Sequence, residues 1–206
     1  VIPFCDNAEP VVLIGNLQSA IFSGSGISDN TFYPSNAGFG YHTILYSFVK
    51  NEVSCIDSQS VIIAEAPTLE LGLNQNLCED ESLTIDAGIS DYYLWSDGST
   101  NQLINIGTSG TYSVTISLEN DCEASDQIEV EFSPLPSINL GNNQEICDGD
   151  TLILNAGNDL SYFWNTGSIN QYININQQGT FAVTVTDSAG CENFDTIIVS
   201  VNPIPN

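Results

Sequence analysis

Positive charge is almost absent from this chain of 206 residues. One lysine, Lys50, stands against 26 aspartates and glutamates, arginine does not occur, and the formal net charge is −25 at pH 7. Nucleic acids and anionic membrane surfaces are bound through lysine and arginine side chains. The composition therefore excludes both as partners. Burial, backbone pairing and disulfides, rather than salt bridges, must stabilise the fold.

Motifs for membrane insertion, metal binding and catalysis are also missing. No apolar run approaches the ~20 residues of a membrane-spanning helix. His42 is the only histidine and no Cys-x-x-Cys pair occurs, which argues against a zinc site. No nucleophile elbow accompanies His42, and no glycine-rich loop precedes a helical pattern. We therefore predict that the chain is not an enzyme, needs no cofactor and does not insert into a membrane.

The sequence does contain an internal repeat of 69 residues without a gap. The shift superimposes the most distinctive residues of two copies: Cys78 onto Cys147, Trp95 onto Trp164, Gly98 onto Gly167 and Cys122 onto Cys191. Self-similarity of this length is typical of a tandem domain array. We predict three small domains, residues 1–66 (a divergent copy), 67–135 and 136–206. By the same shift, residues 203–206 begin a linker to a further copy, so we expect a longer parent protein.

Short alternating runs of apolar and polar residues predict strands. The pattern is clear in Leu83–Ala87, Tyr112–Ile116 and Ile128–Phe132, and in Tyr41–Phe48 of the divergent copy. In the last copy the same alternation predicts the inward side chains: Leu152, Leu154, Phe181, Val183, Val185, Ile197, Val199 and Val201. We see no helix longer than a turn. The predicted fold is all-β, a tandem array of three small immunoglobulin-like β-sandwich domains.

Two tryptophans and two glycine-containing turns recur at equivalent positions. Trp95 and Trp164 lie within predicted strands, where a tryptophan packs in the core more often than it stacks on a ligand. We predict core roles for both, with a carbohydrate-binding face as the alternative. Ser96–Ser99 and Asn165–Ser168 follow them and resemble hairpin turns, each with a glycine where a positive φ is required.

Six cysteines supply one pair for each predicted domain. If strands alternate in direction, Cys78 and Cys122 fall at the same end of their sandwich, close enough to bond. The sequence thus predicts one disulfide within each domain: Cys5–Cys55, Cys78–Cys122 and Cys147–Cys191. Disulfides form and persist outside the cytosol, so we expect an extracellular location.

Acidic residues gather near the predicted disulfide-bonded end of each repeat. Carboxylates on adjoining loops are suitable calcium ligands, although no EF-hand spacing occurs. The calcium candidates are Asp80, Asp121, Asp148, Asp150 and Asp187. The competing interpretation is a solvated acidic surface without metal.

One set of motifs resembles a known repeat type. Ile146–Leu152, Trp164–Gly167, Gly179–Val185 and Gly190–Cys191 resemble the Ig-like and PKD-like tandem repeats of large Bacteroidetes surface adhesins of the SprB type. Phe22–Pro34 resembles a companion repeat found beside them. The resemblance implies a cell-surface protein involved in gliding or attachment and exported by type IX secretion.

Three triplets resemble the Asp-Ser/Thr-apolar acceptor of bacterial O-glycosylation in the same phylum. They place candidate acceptor hydroxyls at Thr151, Ser188 and Thr196.

Two functions follow from these patterns. The first is a structural stalk or filament segment of a large extracellular adhesin or appendage that attaches to surfaces or other cells. Its partners would be neighbouring Ig-like repeats of the same chain, with homo-oligomeric or filamentous assembly as a variant. Polysaccharide or other cells would be contacted through the parent protein. The alternative is a direct carbohydrate- or protein-binding module, with or without calcium.

Overall fold

A computed structural model describes residues 3–16, 20–50, 52–158 and 161–204. Within these residues the chain forms 19 strands and one four-residue helix, which confirms the all-β prediction. No helix in this part of the chain has both the length and the apolar character needed to cross a membrane.

The first segment, residues 1–66, forms two small sheets. Its elements are β1 (Phe4–Cys5), β2 (Val11–Val12), β3 (Ile21–Ser23), β4 (Ile27–Ser28), β5 (Thr31–Phe32), α1 (Pro34–Ala37), β6 (Gly40–Lys50) and β7 (Val53–Ala64). One sheet has the order β1-β7-β6-β3 and the other the order β2-β5-β4. Phe32 of the second sheet packs with Ile44, Val61 and Ile63 of the first, so the sheets share a core.

The second segment, residues 67–135, again forms two sheets. Its strands are β8 (Gln75–Cys78), β9 (Leu83–Asp86), β10 (Tyr92–Trp95), β11 (Leu103–Ile106), β12 (Gly110–Ser117) and β13 (Glu123–Ser133). The order is β10-β12-β13-β8 in one sheet and β11-β9 in the other.

The third segment, residues 136–206, repeats this scheme. Its strands are β14 (Gln144–Cys147), β15 (Leu152–Asn155), β16 (Ser161–Trp164), β17 (Tyr172–Ile175), β18 (Gly179–Thr186) and β19 (Glu192–Asn202). The sheets are β14-β19-β18-β16 and β15-β17. A four-stranded sheet facing a smaller one, with a buried tryptophan in the strand at one edge, is an immunoglobulin-like arrangement.

The core of the third segment lies between its two sheets. Leu154, Ile173 and Ile175 of the small sheet pack in one cluster with side chains of the large sheet. The predicted inward residues Phe181, Val183, Val185, Ile197 and Val199 are all buried, at 5% exposure or less, whereas Leu152 and Val201 are partly buried. The alternation read from the sequence therefore identified the buried face correctly.

The first strand of each segment pairs in parallel with the last strand. β1 pairs with the end of β7, β8 with the end of β13 and β14 with the end of β19. The neighbouring pairs β3–β6, β6–β7, β10–β12, β16–β18 and β18–β19 are antiparallel. Strict alternation of strand direction along the chain is wrong, because β10 and β12 are two strands apart in sequence and yet pair antiparallel, as do β16 and β18.

The sequence correctly predicted a positive φ at the glycines of the two turns, but it wrongly predicted that each turn closes a hairpin. Gly98 and Gly167 have φ of 85° and 83°, a region that favours glycine. The flanking strands do not pair, because β10 and β11 belong to different sheets, as do β16 and β17. Each turn thus carries the chain from one sheet to the other instead of closing a hairpin.

The chain packs into two compact units. They comprise Val1–Leu73, Thr84–Ile104 and Thr111–Ile128 in one, and Asn74–Leu83, Asn105–Gly110 and Glu129–Asn206 in the other. The boundary between them passes through the second segment of the sequence. The division into three domains at residues 66 and 135 stays a prediction.

Candidate functional site: the disulfide-linked segment junctions

The disulfides join consecutive segments, not residues within one segment. Cys5 of the first segment bonds to Cys122 of the second, and Cys78 of the second bonds to Cys191 of the third. Cys55 and Cys147 are free thiols. The predicted pairs Cys5–Cys55, Cys78–Cys122 and Cys147–Cys191 are therefore wrong.

The parallel pairing of the first and last strands explains this result. In the third segment Cys147 ends β14 and pairs with Asn202, the last residue of β19, whereas Cys191 immediately precedes β19. An 11-residue strand is about 35 Å long, far beyond the ~7 Å limit between the Cα atoms of a disulfide. The same holds in the first segment, where Cys5 pairs with Ala64 at the end of β7 and Cys55 lies near its start.

The first junction, where residues 1–66 meet residues 67–135, combines the disulfide with two amide hydrogen bonds. The Cα atoms of Cys5 and Cys122 are 5.5 Å apart, and Cys122 is 0% exposed. The Asn7 side-chain amide donates to the Glu123 carbonyl at 2.8 Å. In the opposite direction, the Asn120 amide donates to the Glu65 carbonyl at 3.2 Å. The junction is thus fixed by three separate links.

The second junction, where residues 67–135 meet residues 136–206, repeats the bond with different surroundings. The Cα atoms of Cys78 and Cys191 are 5.6 Å apart, and Cys191 is 1% exposed. Beside it, a Glu79 carboxylate oxygen accepts a hydrogen bond from the Leu135 amide of the linker at 3.2 Å. The Asn193 side-chain amide donates to the carbonyl of linker residue Pro136 at 2.9 Å.

A carboxylate on the last strand holds the linker that leads into each of the two repeats. The Leu71 amide donates to Asp126 at 2.8 Å, and the Leu140 amide donates to Asp195 at 2.7 Å. Hydrogen bonds to a carboxylate are stronger than those between neutral groups. Sequence reasoning missed these aspartates, although the 69-residue shift that carries Leu71 onto Leu140 also carries Asp126 onto Asp195.

Each first-strand cysteine is followed by the same tight turn. The amide of the next residue donates to the carbonyl opposite the cysteine on the last strand, and an amide three residues on donates to the cysteine carbonyl. The first contacts are Asp6 to Ala64, Glu79 to Ser133 and Asp148 to Asn202; the second are Ala8 to Cys5, Glu81 to Cys78 and Asp150 to Cys147, all at 2.9–3.0 Å.

Each junction disulfide lies inside one compact unit. Cys5 and Cys122 belong to the first unit, and Cys78 and Cys191 belong to the second. The junctions of the sequence repeat are therefore parts of well-packed regions.

Both tryptophans lie in the core. Trp95 is 2% exposed and Trp164 0%, and each indole N–H donates to a backbone carbonyl six residues later, of Asn101 at 2.7 Å and of Asn170 at 2.8 Å. Buried indoles with satisfied N–H groups stabilise a core and offer no stacking face to a ligand.

The calcium candidates are not brought together. Within the described ranges no group of three or more acidic, cysteine or histidine side chains is placed to hold a metal. Asp150 accepts the Cys147 amide, and Asp187 accepts the amides of Ala189 and Cys191. Asp80, Asp121 and Asp148 lie in the turns beside the cysteines. Asp150 and Asp187 are thus engaged in capping local turns.

The carboxyl of Asp97 has a lowered pKa. Hydrogen bonds from the Ser99 backbone and side chain stabilise its charged form and lower the pKa of this carboxyl below its ordinary value. Thr151, Ser188 and Thr196 are exposed, as an O-glycan acceptor must be, and their modification stays a prediction.

Comparisons with known proteins add structural likeness only. No family model matches the chain, and no curated protein matches it. Among solved structures, Drosophila OTK extracellular domains 3–5 are similar with TM-score 0.39 and 9% identity, over 80% of this chain and 71% of that one. The I-band fragment I67–I69 of titin is similar with TM-score 0.37 and 11% identity, over 92% of this chain and 84% of that one. Sidekick-1 immunoglobulin domains 1–5 are similar with TM-score 0.32 and 13% identity, over 90% of this chain and 52% of that one. The immunoglobulin-like fold class is thus based on the strand order and core of the chain itself.

Proposed function

We propose that the chain is a load-bearing stalk segment of a large extracellular adhesin or surface appendage. The observation that carries the proposal is the pair of disulfides that join consecutive segments. A covalent bond across each junction lets tension pass from one segment to the next without loading the linker alone.

The extracellular setting is supported by the same bonds. Structural disulfides persist in oxidising compartments and are rare in the cytosol. The resemblance of the repeat motifs to SprB-type adhesins supports a bacterial cell surface, export by type IX secretion and a role in gliding or attachment. In this proposal the parent protein contacts polysaccharide or other cells elsewhere, and this segment supplies reach.

The mechanism differs from the one that disulfides within each domain would provide. Here the disulfides fix the junctions, and the aspartate-held linkers at Leu71 and Leu140 remove further freedom between segments. The net charge of −25 opposes side-by-side pairing of exposed sheet edges between neighbouring copies.

The binding-module alternative predicts an exposed cluster of aromatic side chains or of carboxylates on the loops, and the two tryptophans were its aromatic candidates. Trp95 and Trp164 are buried, and no metal-holding group occurs among the described residues. The structural role therefore accounts for more of the observations.

The proposal can be tested by single-molecule fluorescence energy transfer between dyes on short terminal tags. We expect a narrow distribution of end-to-end distances in the oxidised chain and a broad one after mild reduction, while far-ultraviolet circular dichroism keeps its β signature. Equal widths in the two states would show that the disulfides do not stiffen the array, and the load-bearing proposal would fall.

A further inference from the structure

The six cysteines occupy two kinds of position. Strand-end cysteines close the first strand of each segment, and they are Cys5, Cys78 and Cys147. Hairpin cysteines lie within two residues of the start of the last strand, and they are Cys55, Cys122 and Cys191. Both disulfides join a strand-end cysteine to the hairpin cysteine of the following segment. One thiol of each kind is left over.

Cys147 has the same backbone surroundings as its bonded equivalents. The amide of its neighbour Asp148 donates to Asn202 at 2.9 Å, as the amide of Glu79 beside Cys78 does to Ser133. A carboxylate three residues on accepts the cysteine amide in both cases, Asp150 for Cys147 and Glu81 for Cys78. Cys147 is exposed, so its thiol is accessible to a partner.

Cys55 lies in the same register as the other hairpin cysteines. Six and eight residues after it come the buried Val61 and Ile63. The same offsets lead from Cys122 and from Cys191 to buried residues of their strands: Ile128 and Val130, and Ile197 and Val199. Because strand side chains alternate, all three hairpin cysteines share the core-facing side of their strand.

The bonded state of the equivalent cysteines is what points to a partner. At both disulfide-bonded junctions the strand-end cysteine is bonded to the hairpin cysteine of the next immunoglobulin-like segment. The two free thiols are therefore complementary halves of a third junction of the same kind.

The Cys55 hairpin differs from the closed ones in charge and exposure. Residues 48–59 contain one lysine and two carboxylates, whereas residues 115–126 and 184–195 contain four and three carboxylates and no cation. Val49, Val53 and Ile56 of this hairpin are 66%, 61% and 67% exposed. An apolar and less acidic hairpin suits contact with the acidic Cys147 end, which carries Glu145, Asp148 and Asp150.

We propose that copies of this chain join head to tail through a disulfide between Cys147 of one copy and Cys55 of the next. The oxidant is a disulfide, of small-molecule or protein origin. Thiolate exchange forms the Cys147–Cys55 bond, the two cysteine thiols are oxidised, and the oxidant is released as two thiols that take up both protons. Each 206-residue chain offers one free thiol of each kind, so the contact between two such chains is heterologous and produces linear oligomers. The inference rests on the disulfide geometry and does not require that the array bear load.

Two complementary variants of the full chain test the proposal. Cys55→Ser keeps only the strand-end thiol and Cys147→Ser keeps only the hairpin thiol. Each variant alone, and an equal mixture, is incubated with reduced and oxidised glutathione at moderate salt, which screens the acidic surfaces. Non-reducing electrophoresis counts covalent species, and mass spectrometry of unreduced peptides identifies the bonds. Peptides linking Cys5 to Cys122 and Cys78 to Cys191 report an intact fold.

The expected result is a ladder of oligomers for the unsubstituted chain and a monomer for each variant alone. The mixture should give a heterodimer that outnumbers the homodimers by roughly tenfold or more, because only it reproduces the geometry of the closed junctions. Random pairing of accessible thiols would make heterodimers only half of the dimers, and that outcome would overturn the proposal. A chain that forms only mixed disulfides with glutathione, or a Cys55–Cys147 bond within one copy, would overturn it as well.

Discussion

The disulfide pairing determines how far the unfolded chain can be stretched. The shortest covalent route from the first residue covers four peptide steps to Cys5 and crosses to Cys122. It then runs back 44 steps to Cys78, crosses to Cys191 and ends after 15 more steps. These 63 steps and two bridges give a contour length of ~230 Å at ~3.5 Å per step, against ~700 Å for the reduced chain.

Two substitutions separate this pairing from bonds within each segment. Replacing Cys5 and Cys122 by serine opens the first junction, and the route becomes 77 steps to Cys78 and 15 after Cys191. The contour length should grow by ~100 Å. Replacing Cys55 alone should leave it at ~230 Å, because this thiol is free.

Bonds within each segment lead to the opposite expectation for Cys55. If Cys55 were bonded to Cys5, its loss would add 50 steps to the shortest route, or ~170 Å. The two pairings therefore differ most in the variant that changes a single, unbonded residue.

The assay is single-molecule force spectroscopy on full chains held by terminal peptide tags in buffer without reductant. Contour lengths are taken from the final extension after all segments have unfolded. Adding a reductant to the same chain should release the full ~700 Å and serves as an internal control. A Cys55→Ser chain that extends further than the unsubstituted one would refute the reasoning.

Three further predictions concern the core, a turn and pH. In chemical denaturation, Trp164→Ala should lower the free energy of unfolding by about 3–5 kcal/mol, because a fully buried indole is lost. The neighbouring Phe163 is 63% exposed, so Phe163→Ala should change this free energy by less than about 0.5 kcal/mol. Gly98→Ala should lower the free energy of unfolding by about 1 kcal/mol, because φ is +85° at this position. Gly107 has open space around it and no positive φ, so Gly107→Ala should be close to neutral. A similar loss of stability in both variants would contradict the left-handed conformation of Gly98. The pKa of Asp97 is lower in the folded chain than in the unfolded chain, so its contribution to stability is present above the ordinary aspartate pKa and is lost as pH falls through the folded value. Asp97→Asn should therefore weaken the loss of stability at acidic pH. An identical loss in both proteins would contradict the role of Ser99.

Local features of the fold followed directly from the sequence. Alternation of apolar residues identified the buried side of β18 and β19, since that period is a property of a half-buried strand and needs no tertiary information. The glycines at 98 and 167 were identified because few other residues adopt a positive φ.

The cysteine pairing could not be obtained in the same way. A repeat of 69 residues is equally compatible with a bond inside a unit and with a bond to the next unit, because both recur with that period. The choice depended on strand direction, and β14 pairs in parallel with β19, whose paired residues lie 55 positions away. Such a long-range pairing leaves no mark on local pattern. The 11-residue length of the last strand was the usable signal, since it separates the two cysteines of one segment.

The junction contacts were missed for a related reason. Asn7 and Asn120 are ordinary polar residues in a chain rich in them, and their amides matter only because the disulfide brings Glu123 and Glu65 within reach. Contacts between segments depend on how the disulfides place one segment against the next, so they cannot be predicted before the cysteine pairing is known.

The most direct test is mass spectrometry of unreduced peptides from the oxidised chain, with free thiols blocked before digestion. We expect one linked peptide pair containing Cys5 and Cys122 and another containing Cys78 and Cys191. Cys55 and Cys147 should carry the blocking group in the monomer. Linked peptides containing Cys78 with Cys122, or Cys147 with Cys191, would contradict it.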